Sequence, residues 1–472
     1  MLSNIVENFI SKKNIFIGDK TKVLNSIKIN EKIKEILNII NTIDDGVVGI
    51  LLPRNINYIL VILALWKSGR AFVPLNYNWP KKYSDLIIKK SKIKYLITDK
   101  KIIFNKRIQL IDLEKKKIKK KIRKKIRNNI AYIIFTSGST GEPKGVQISN
   151  GAFITYLNWV KKNQKTGKNL NHLITGEITF DIVLADLAFI LANRCSIFIT
   201  DDPKNVFNTL DLIIKYKINS IYCVPSLIDK IVDAAKALSI NPLKFEFVFC
   251  GGDIFKIKLF KKIKKFFKGT KIFNMYGPTE CTMNTLGVEL TKIKNVANYK
   301  YLPTGYEFKH LDYLILNEKN KKDVQGELLI GGKQLMDGYL GSNRNNLINP
   351  FIEINKKLYY RTGDIFKKRK KLLYFIGRKN QIHKLSGFRF NFSYIENYVE
   401  KIQSIKEFKL YINKENLYGF YTCYKIVEND FLINFLKKKF PNFMIPKKIF
   451  RIKKFPYNNR GKINYKLLIK EI

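Results

Sequence analysis

The sequence predicts an α/β protein with a large N-terminal domain of parallel, helix-covered sheets at residues 1–376 and a small α+β C-terminal domain at residues 377–472. Three observations predict it. Short apolar, β-favouring runs alternate with helix-length segments through most of the first 280 residues, the pattern of a parallel sheet with helices on both faces. From about Gly326 that pattern gives way to short strands with glycine turns, and the last hundred or so residues carry strand and helix signals of their own. A chain of 472 residues, 46% of them hydrophobic, can also bury more than one core.

Taken in order, residues 46–52 read as a strand, 58–67 as a helix and 71–75 as a strand. The basic run at 115–127 follows, with isoleucines at 118, 122 and 126, which is helical spacing for one apolar stripe on a surface helix or connector. Strand-like runs then recur at 130–135, 196–200, 220–224, 246–250 and 271–275, and again after Gly326 at 326–332 and 372–377. Ligands of such sheets bind at the carboxyl ends of the strands. Three polar turns stand at those ends: the loop after Phe135, Cys250-Gly251-Gly252-Asp253, and Met275-Tyr276-Gly277-Pro278-Thr279-Glu280. They are expected to converge on one crevice.

The first of these turns reads Thr136-Ser137-Gly138-Ser139-Thr140-Gly141, with Pro143-Lys144-Gly145 behind it. Glycines let backbone N–H groups approach phosphate oxygens, the small hydroxyls add donors, and Lys144 supplies a cation for triphosphate charge. A flexible linker would not place a stiff proline and a charge at the loop exit. The stretch lacks the GxxxxGK[ST] pattern, because Lys144 follows proline, so it is a nucleotide loop of another kind.

The stretch resembles the signature of the adenylate-forming superfamily: adenylation domains of nonribosomal peptide synthetases, D-alanine–carrier protein ligases, acyl-CoA synthetases and luciferases. Further motifs follow in that family's order across nearly the whole chain, and the resemblance implies the acyl-adenylate synthetase fold. In Tyr276-Gly277-Pro278-Thr279-Glu280 it implies that Tyr276 stacks on adenine, Thr279 contacts the α-phosphate and Glu280 holds Mg²⁺, with Asn274, Gly251 and Gly252 bordering the base. In Tyr360-Arg361-Thr362-Gly363-Asp364 it implies Asp364 as the ribose clamp, and in Gly377-Arg378 a second nucleotide contact by Arg378. The hinge of the small domain falls on Asn380, where the family usually has Asp or Lys, while Lys384, Gly387 and Arg389 match. Lys462, after Arg460-Gly461, matches the family's catalytic lysine. An ammonium there can bridge the substrate carboxylate, the ribose and the α-phosphate as charge builds.

Thr179-Phe180-Asp181 bears on the substrate. In amino-acid-activating members an Asp at this place pairs with the α-ammonium, whereas an Asp at a helix start can equally serve as a cap, and the sequence leaves both open. By resemblance the rest of the acyl pocket falls on Ile182, Ala185, Cys223, Val248, Cys250, Met275, Met283 and Asn284. Apart from Asn284 these are apolar, which suits a neutral, small-to-medium apolar amino acid. The implied activity is ATP-dependent formation of an aminoacyl-AMP, with ATP and Mg²⁺ as cofactors. A phosphopantetheine thiol, on a separate carrier protein or as CoA, is the implied acceptor. No carrier motif follows Lys462, so a free-standing enzyme is expected. An acyl-CoA synthetase for a non-amino acid is the alternative.

Composition narrows the remaining classes. No run of about eighteen apolar residues suggests a membrane span, and the N-terminus has no signal-peptide pattern. Five scattered cysteines without a CxxC pair, and three histidines, fit a reducing cytoplasm and argue against a His-centred metal site. The net charge of +50 raises a nucleic-acid binder as a third class. Lysine, isoleucine and asparagine are enriched everywhere, however, as in an AT-rich coding sequence, and a nucleic-acid site would concentrate charge on one face.

Overall fold

A computed structural model describes residues 1–99, 108–113, 129–137, 142–166, 169–240, 243–294, 302–341, 350–379, 382–385, 388–413, 416–456, 463 and 465–468. The basic run 115–127, the hinge residue Asn380 and the lysine Lys462 lie outside the described residues. The chain divides into two compact units: residues 1–77, 88–135 and 145–379 form one, and residues 78–87, 136–144 and 380–472 the other.

The first unit holds three sheets. In the nine-stranded sheet the order is Tyr306–Glu307, Leu286–Glu289, Lys271–Tyr276, Phe247–Gly251, Ser220–Cys223, Asn171–Ile174, Ser196–Ile199, Phe16–Gly18, Val23–Asn25. The six strands from Lys271–Tyr276 to Phe16–Gly18 run parallel, so the carboxyl ends of the 271, 247, 220 and 171 strands share one edge. The seven-stranded sheet orders Gly338–Tyr339, Pro143–Ser149, Ile130–Ser137, Phe72–Pro74, Val48–Leu51, Tyr95–Thr98 and Gln109–Ile111, parallel from Ile130–Ser137 onward. The five-stranded sheet is antiparallel and centred on the long strand Lys357–Arg369, which pairs with Gln325–Gly332, Phe351–Ile354 and Leu372–Arg378.

Local sequence accounts for the elements that matter to the site. The helix Ile56–Ser68 is apolar on nearly every side and almost wholly buried. The Asn55 side chain caps its first turn, and Gly69 closes it in the left-handed region at φ 78°. The helix Ile182–Asn193 is similarly apolar and packs against the nine-stranded sheet through Phe189, whose ring lies edge-on to Phe247 and Phe249. On the opposite face of that sheet the helix Ile257–Phe266 buries Phe260, Ile263 and Phe266, while Lys258, Lys261, Lys264 and Lys265 point to solvent. Two apolar clusters result, one for each face of the nine-stranded sheet.

In the second unit, the described residues between 382 and 468 build a small α+β fold. The strands Ile405–Asn413 and Asn416–Cys423 form an antiparallel hairpin, and Lys448–Arg451 joins it in parallel. The helices Phe392–Val399 and Asn429–Lys437 cover it through Ile395, Val399, Leu432 and Leu436, which meet Phe408 and Leu410 of the sheet. Among the described residues no helix is long and apolar enough to cross a membrane.

Candidate active site

The shared edge of the nine-stranded sheet carries most of the residues singled out from the sequence. Tyr276 ends its strand there, and the chain turns at once through Gly277-Pro278 into a single 3₁₀ turn, Thr279–Cys281. Only glycine fits at 277, because a Cβ there would run into the carbonyl group of Met283. Glu280 is buried and accepts a hydrogen bond from the Tyr339 hydroxyl at 3.1 Å. Among the described residues no group of three His, Cys, Asp or Glu side chains is arranged to hold a metal by itself. A lone buried carboxylate fits a Mg²⁺ ion whose other ligands are phosphate oxygens and water.

The five-stranded sheet contributes the partner of Tyr276. Asp364 and Arg378 face each other across the register of the Lys357–Arg369 and Leu372–Arg378 strands. The Tyr276 hydroxyl donates to Asp364 Oδ2 at 2.6 Å, and Arg378 Nε stands 2.7 Å from Asp364 Oδ1 as an ion pair. That pair is off the angle of a hydrogen bond, so Asp364 Oδ1, Arg378 Nε and Arg378 Nη1 are buried polar atoms without hydrogen-bond partners. Unmet acceptors and donors at such depth cost free energy, and a pair of vicinal hydroxyls would satisfy them. These residues fit a ribose. The Tyr276 ring packs edge-on against Phe366 with centroids 4.9 Å apart. Asn274 donates its side-chain amide to the Pro303 carbonyl at 2.8 Å. Gly251 lies where a Cβ would meet the Tyr222 hydroxyl at 2.6 Å, and Gly252 turns the chain at φ 83°.

In the second unit, Thr136 and Lys144 are partly buried, at the end of Ile130–Ser137 and the start of Pro143–Ser149. Gly138, Ser139, Thr140 and Gly141 lie outside the described residues, as does the side chain of Ser137.

Asp181 occupies the N-cap position of the helix Ile182–Asn193, yet its side chain makes no cap hydrogen bond. The hydrogen-bonded form of capping left open by the sequence is thus not made. Three buried phenols stand within its field. The Tyr222 hydroxyl donates to Asn284 Oδ1 at 2.7 Å, and Asn284 Nδ2 donates to the Tyr156 oxygen at 2.7 Å. Tyr132 keeps a buried hydroxyl with no hydrogen-bond partner, as does Thr179 just before Asp181. Burial pushes the pKa values of Tyr132, Tyr156 and Tyr222 upward, and the negative charge of Asp181 adds to each. All three stay neutral phenols.

Ile182, Ala185, Met275 and Met283 share the apolar cluster on this face of the sheet with Tyr222, and Asn284 is tied to it through that tyrosine. Cys223, Val248 and Cys250 do not. They belong to the cluster on the opposite face, with Ile228, Val232 and Ile263, which corrects their assignment to the same pocket. The reason is the two-residue period of a strand: a shift of one position sends a side chain through the sheet. Their neighbours Tyr222 and Phe249 face the helix headed by Asp181 instead. Tyr132 and Tyr156 were also missed. Tyr132 sits in the strand before the glycine-rich loop, where its apolar neighbours hid it, and Tyr156 lies in a helix with no motif.

Comparison with known proteins agrees with this geometry. Residues 37–340 match the profile described as AMP-binding enzyme. Gramicidin S synthase 2 of Brevibacillus brevis is 29% identical over 444 residues, 89% of this chain but 10% of that protein. The chain thus spans about a tenth of the length of that relative. D-alanine--D-alanyl carrier protein ligase of Bacillus licheniformis is 28% identical over 440 residues, 87% of this chain and 86% of the ligase. Among solved structures, the Vibrio cholerae adenylation domain AlmE in complex with glycyl-adenosine-5'-phosphate superposes with a TM-score of 0.83 at 19% identity, covering 100% of this chain and 97% of that one. An artificially fused adenylation-PCP di-domain, NpsA-ThdA from Klebsiella oxytoca, gives 0.81 at 20% identity, covering 95% and 93%. A profile matched over residues 37–340 and a fold shared end to end with adenylation domains place this chain in the AMP-binding enzyme family.

Proposed function

We propose that the protein activates an amino acid with ATP and passes it to a phosphopantetheine thiol of a separate carrier protein. A carboxylate oxygen of the amino acid attacks the α-phosphorus, pyrophosphate leaves, and an aminoacyl-AMP forms. The thiolate then attacks the acyl carbon and AMP leaves. Asp364 and Arg378 would take the ribose, Tyr276, whose hydroxyl donates to Asp364, would stack on the adenine, and Thr279 would contact the α-phosphate. Asn274, Gly251 and Gly252 would border the base. Residues 136–141 and Lys144 would receive the triphosphate, and Glu280 would hold Mg²⁺, which supplies positive charge beside the phosphates. Lys462, carried by a domain beginning at 377 and turning about Asn380, would bring its ammonium to the reacting centre. Relatives that load carrier proteins support the acceptor, and five free cysteines suit the cytoplasm. The acyl-CoA synthetase reading differs in taking a non-amino acid and CoA.

The observation that carries the amino-acid reading is Asp181: a carboxylate at the head of a buried helix with which it makes no cap hydrogen bond, walled by neutral phenols. An α-ammonium is the kind of group such a carboxylate would attract. Removing the carboxylate would leave that cation without its partner, a loss of about 3–5 kcal/mol. Asp181→Ala is therefore expected to weaken pyrophosphate exchange with the amino acid some hundreds-fold while sparing the matching des-amino acid. Equal losses for the two acids would favour the acyl-CoA synthetase instead.

A further inference from the structure

Asp181 stands where a loop meets a helix, and buried or partly buried side chains with no part in the proposed reaction hold both. The loop leaves the Asn171–Ile174 strand and reaches Asp181 seven residues later. Arg54, just before the helix Ile56–Ser68, donates to two carbonyl groups at the base of this loop and to one at the end of the neighbouring Ser196–Ile199 strand. Nε donates to Thr200 at 2.8 Å, Nη2 to Ile174 at 3.1 Å, and Nη1 to Gly176. Tyr58, in the first turn of that helix, donates its hydroxyl to the Ile178 carbonyl at 2.8 Å. Glu177 Oε1 accepts from Asn76 Nδ2 at 2.9 Å and from the Ile178 amide at 2.9 Å. The loop is thus tied at residues 174, 176, 177 and 178 to side chains from the first 76 residues.

The helix side is held just as deeply. Asp186, five residues past Asp181, has Oδ1 2.7 Å from His172 Nε2, and His172 Nδ1 lies 2.8 Å from the Ser220 hydroxyl. Neither His172 nor Asp186 has any exposed surface. Arg54 and Asp186 lie close enough that each charge acts on the other, with Glu177 and Asp202 the remaining acids in the field of Arg54.

Apolar side chains of similar volume would hold a loop at less electrostatic cost than a partly buried guanidinium, even one with Glu177, Asp186 and Asp202 in its field. What the planar fork adds is direction: three donors fix three backbone groups at once. An ion pair to a substrate demands that kind of accuracy, because a displacement of about 1 Å at a reacting geometry costs on the order of 10²-fold in rate.

We propose that Arg54, Tyr58 and the His172–Asp186 pair are positioning residues for amino-acid selection, bracketing Asp181 from the loop and the helix so that its carboxylate meets the α-ammonium of the substrate. The inference rests on the reading of Asp181 as the ammonium partner. None of the four touches the substrate; they act through Asp181.

The test compares wild type, Asp181→Ala, Tyr58→Phe and Arg54→Lys in the full chain. The twenty standard amino acids and their D forms are screened by pyrophosphate exchange, and the best is paired with its des-amino acid, used as a competitive inhibitor. Tyr58→Phe deletes one hydroxyl and is expected to keep the fold, checked by its melting curve. It should raise KM for the amino acid about tenfold, while KM for ATP and the inhibition constant of the des-amino acid stay within about twofold. Arg54→Lys, which can satisfy one carbonyl at a time, should show the same split more strongly. A structural role alone would move the two acids together or move only the melting temperature. That outcome, with Asp181→Ala still selective, overturns the inference. If Asp181→Ala itself treats both acids alike, the reading of Asp181 fails first and the inference falls with it.

Discussion

Asp186 shows how a single buried carboxyl ties folding to acidity. Burial pushes its pKa up to about 6, while the hydrogen bond and charge of His172 pull the other way. In the unfolded chain the same group titrates near its usual value of about 4. Between those two values the folded protein binds a proton that the unfolded chain has released. The stability that the neutral form contributes is fully present below about pH 4 and is lost as pH rises through about 6. Asp186→Asn keeps the neutral shape without the titration. Calorimetric melting temperatures from pH 4 to 7 should therefore show wild type falling relative to the variant up to about pH 6, with the difference constant above. Parallel curves would mean that Asp186 titrates in the folded protein as it does when unfolded.

At the scale of the element, the strand-to-turn joint at Tyr276-Gly277 sets both the ribose knot and the 3₁₀ turn bearing Glu280. Gly277→Ala forces a methyl group against the Met283 carbonyl. Overpacking of that kind costs about 1–3 kcal/mol, so the variant should melt measurably lower and bind ATP more weakly in an equilibrium titration. An unchanged melting curve would show that the turn can yield. The turn was legible in the sequence because a Gly-Pro step after an apolar run has few backbone solutions. The strands at 46–52, 220–224 and 271–275 were legible for a related reason, since apolar runs bounded by turn residues have few alternatives; they appear as Val48–Leu51, Ser220–Cys223 and Lys271–Tyr276. What the sequence hid was phase. In strands buried on both faces, every position is apolar, so nothing local tells which of Tyr222 and Cys223 faces Asp181. The Arg54 contacts were equally hidden, because they join residues more than a hundred positions apart through backbone carbonyls, which leave no trace in side-chain patterns.

For the molecule as a whole, the formal charge of +50 has a plain expected consequence. The lysines of Ile257–Phe266 spread over the outer face of an ordinary amphipathic helix, and the run at 115–127 lies outside every motif of the site. Replacing the basic residues of 115–127 by glutamine should leave pyrophosphate exchange within about twofold. If exchange collapsed, and a salt-sensitive affinity for duplex DNA in a filter-binding assay vanished with it, the charge would be part of the function. The hydrogen bond from Tyr276 to Asp364 has a broader consequence, because its two ends belong to different sheets. A nucleotide that answered the open atoms of Asp364 and Arg378 would act as a keystone between those sheets, its affinity added to their adhesion. At a hundredfold excess over its dissociation constant such a ligand contributes about 2.7 kcal/mol to the folded state. The durability of the protein would then follow the nucleotide concentration of its surroundings, falling as nucleotide runs low even with every bond in the polypeptide unchanged.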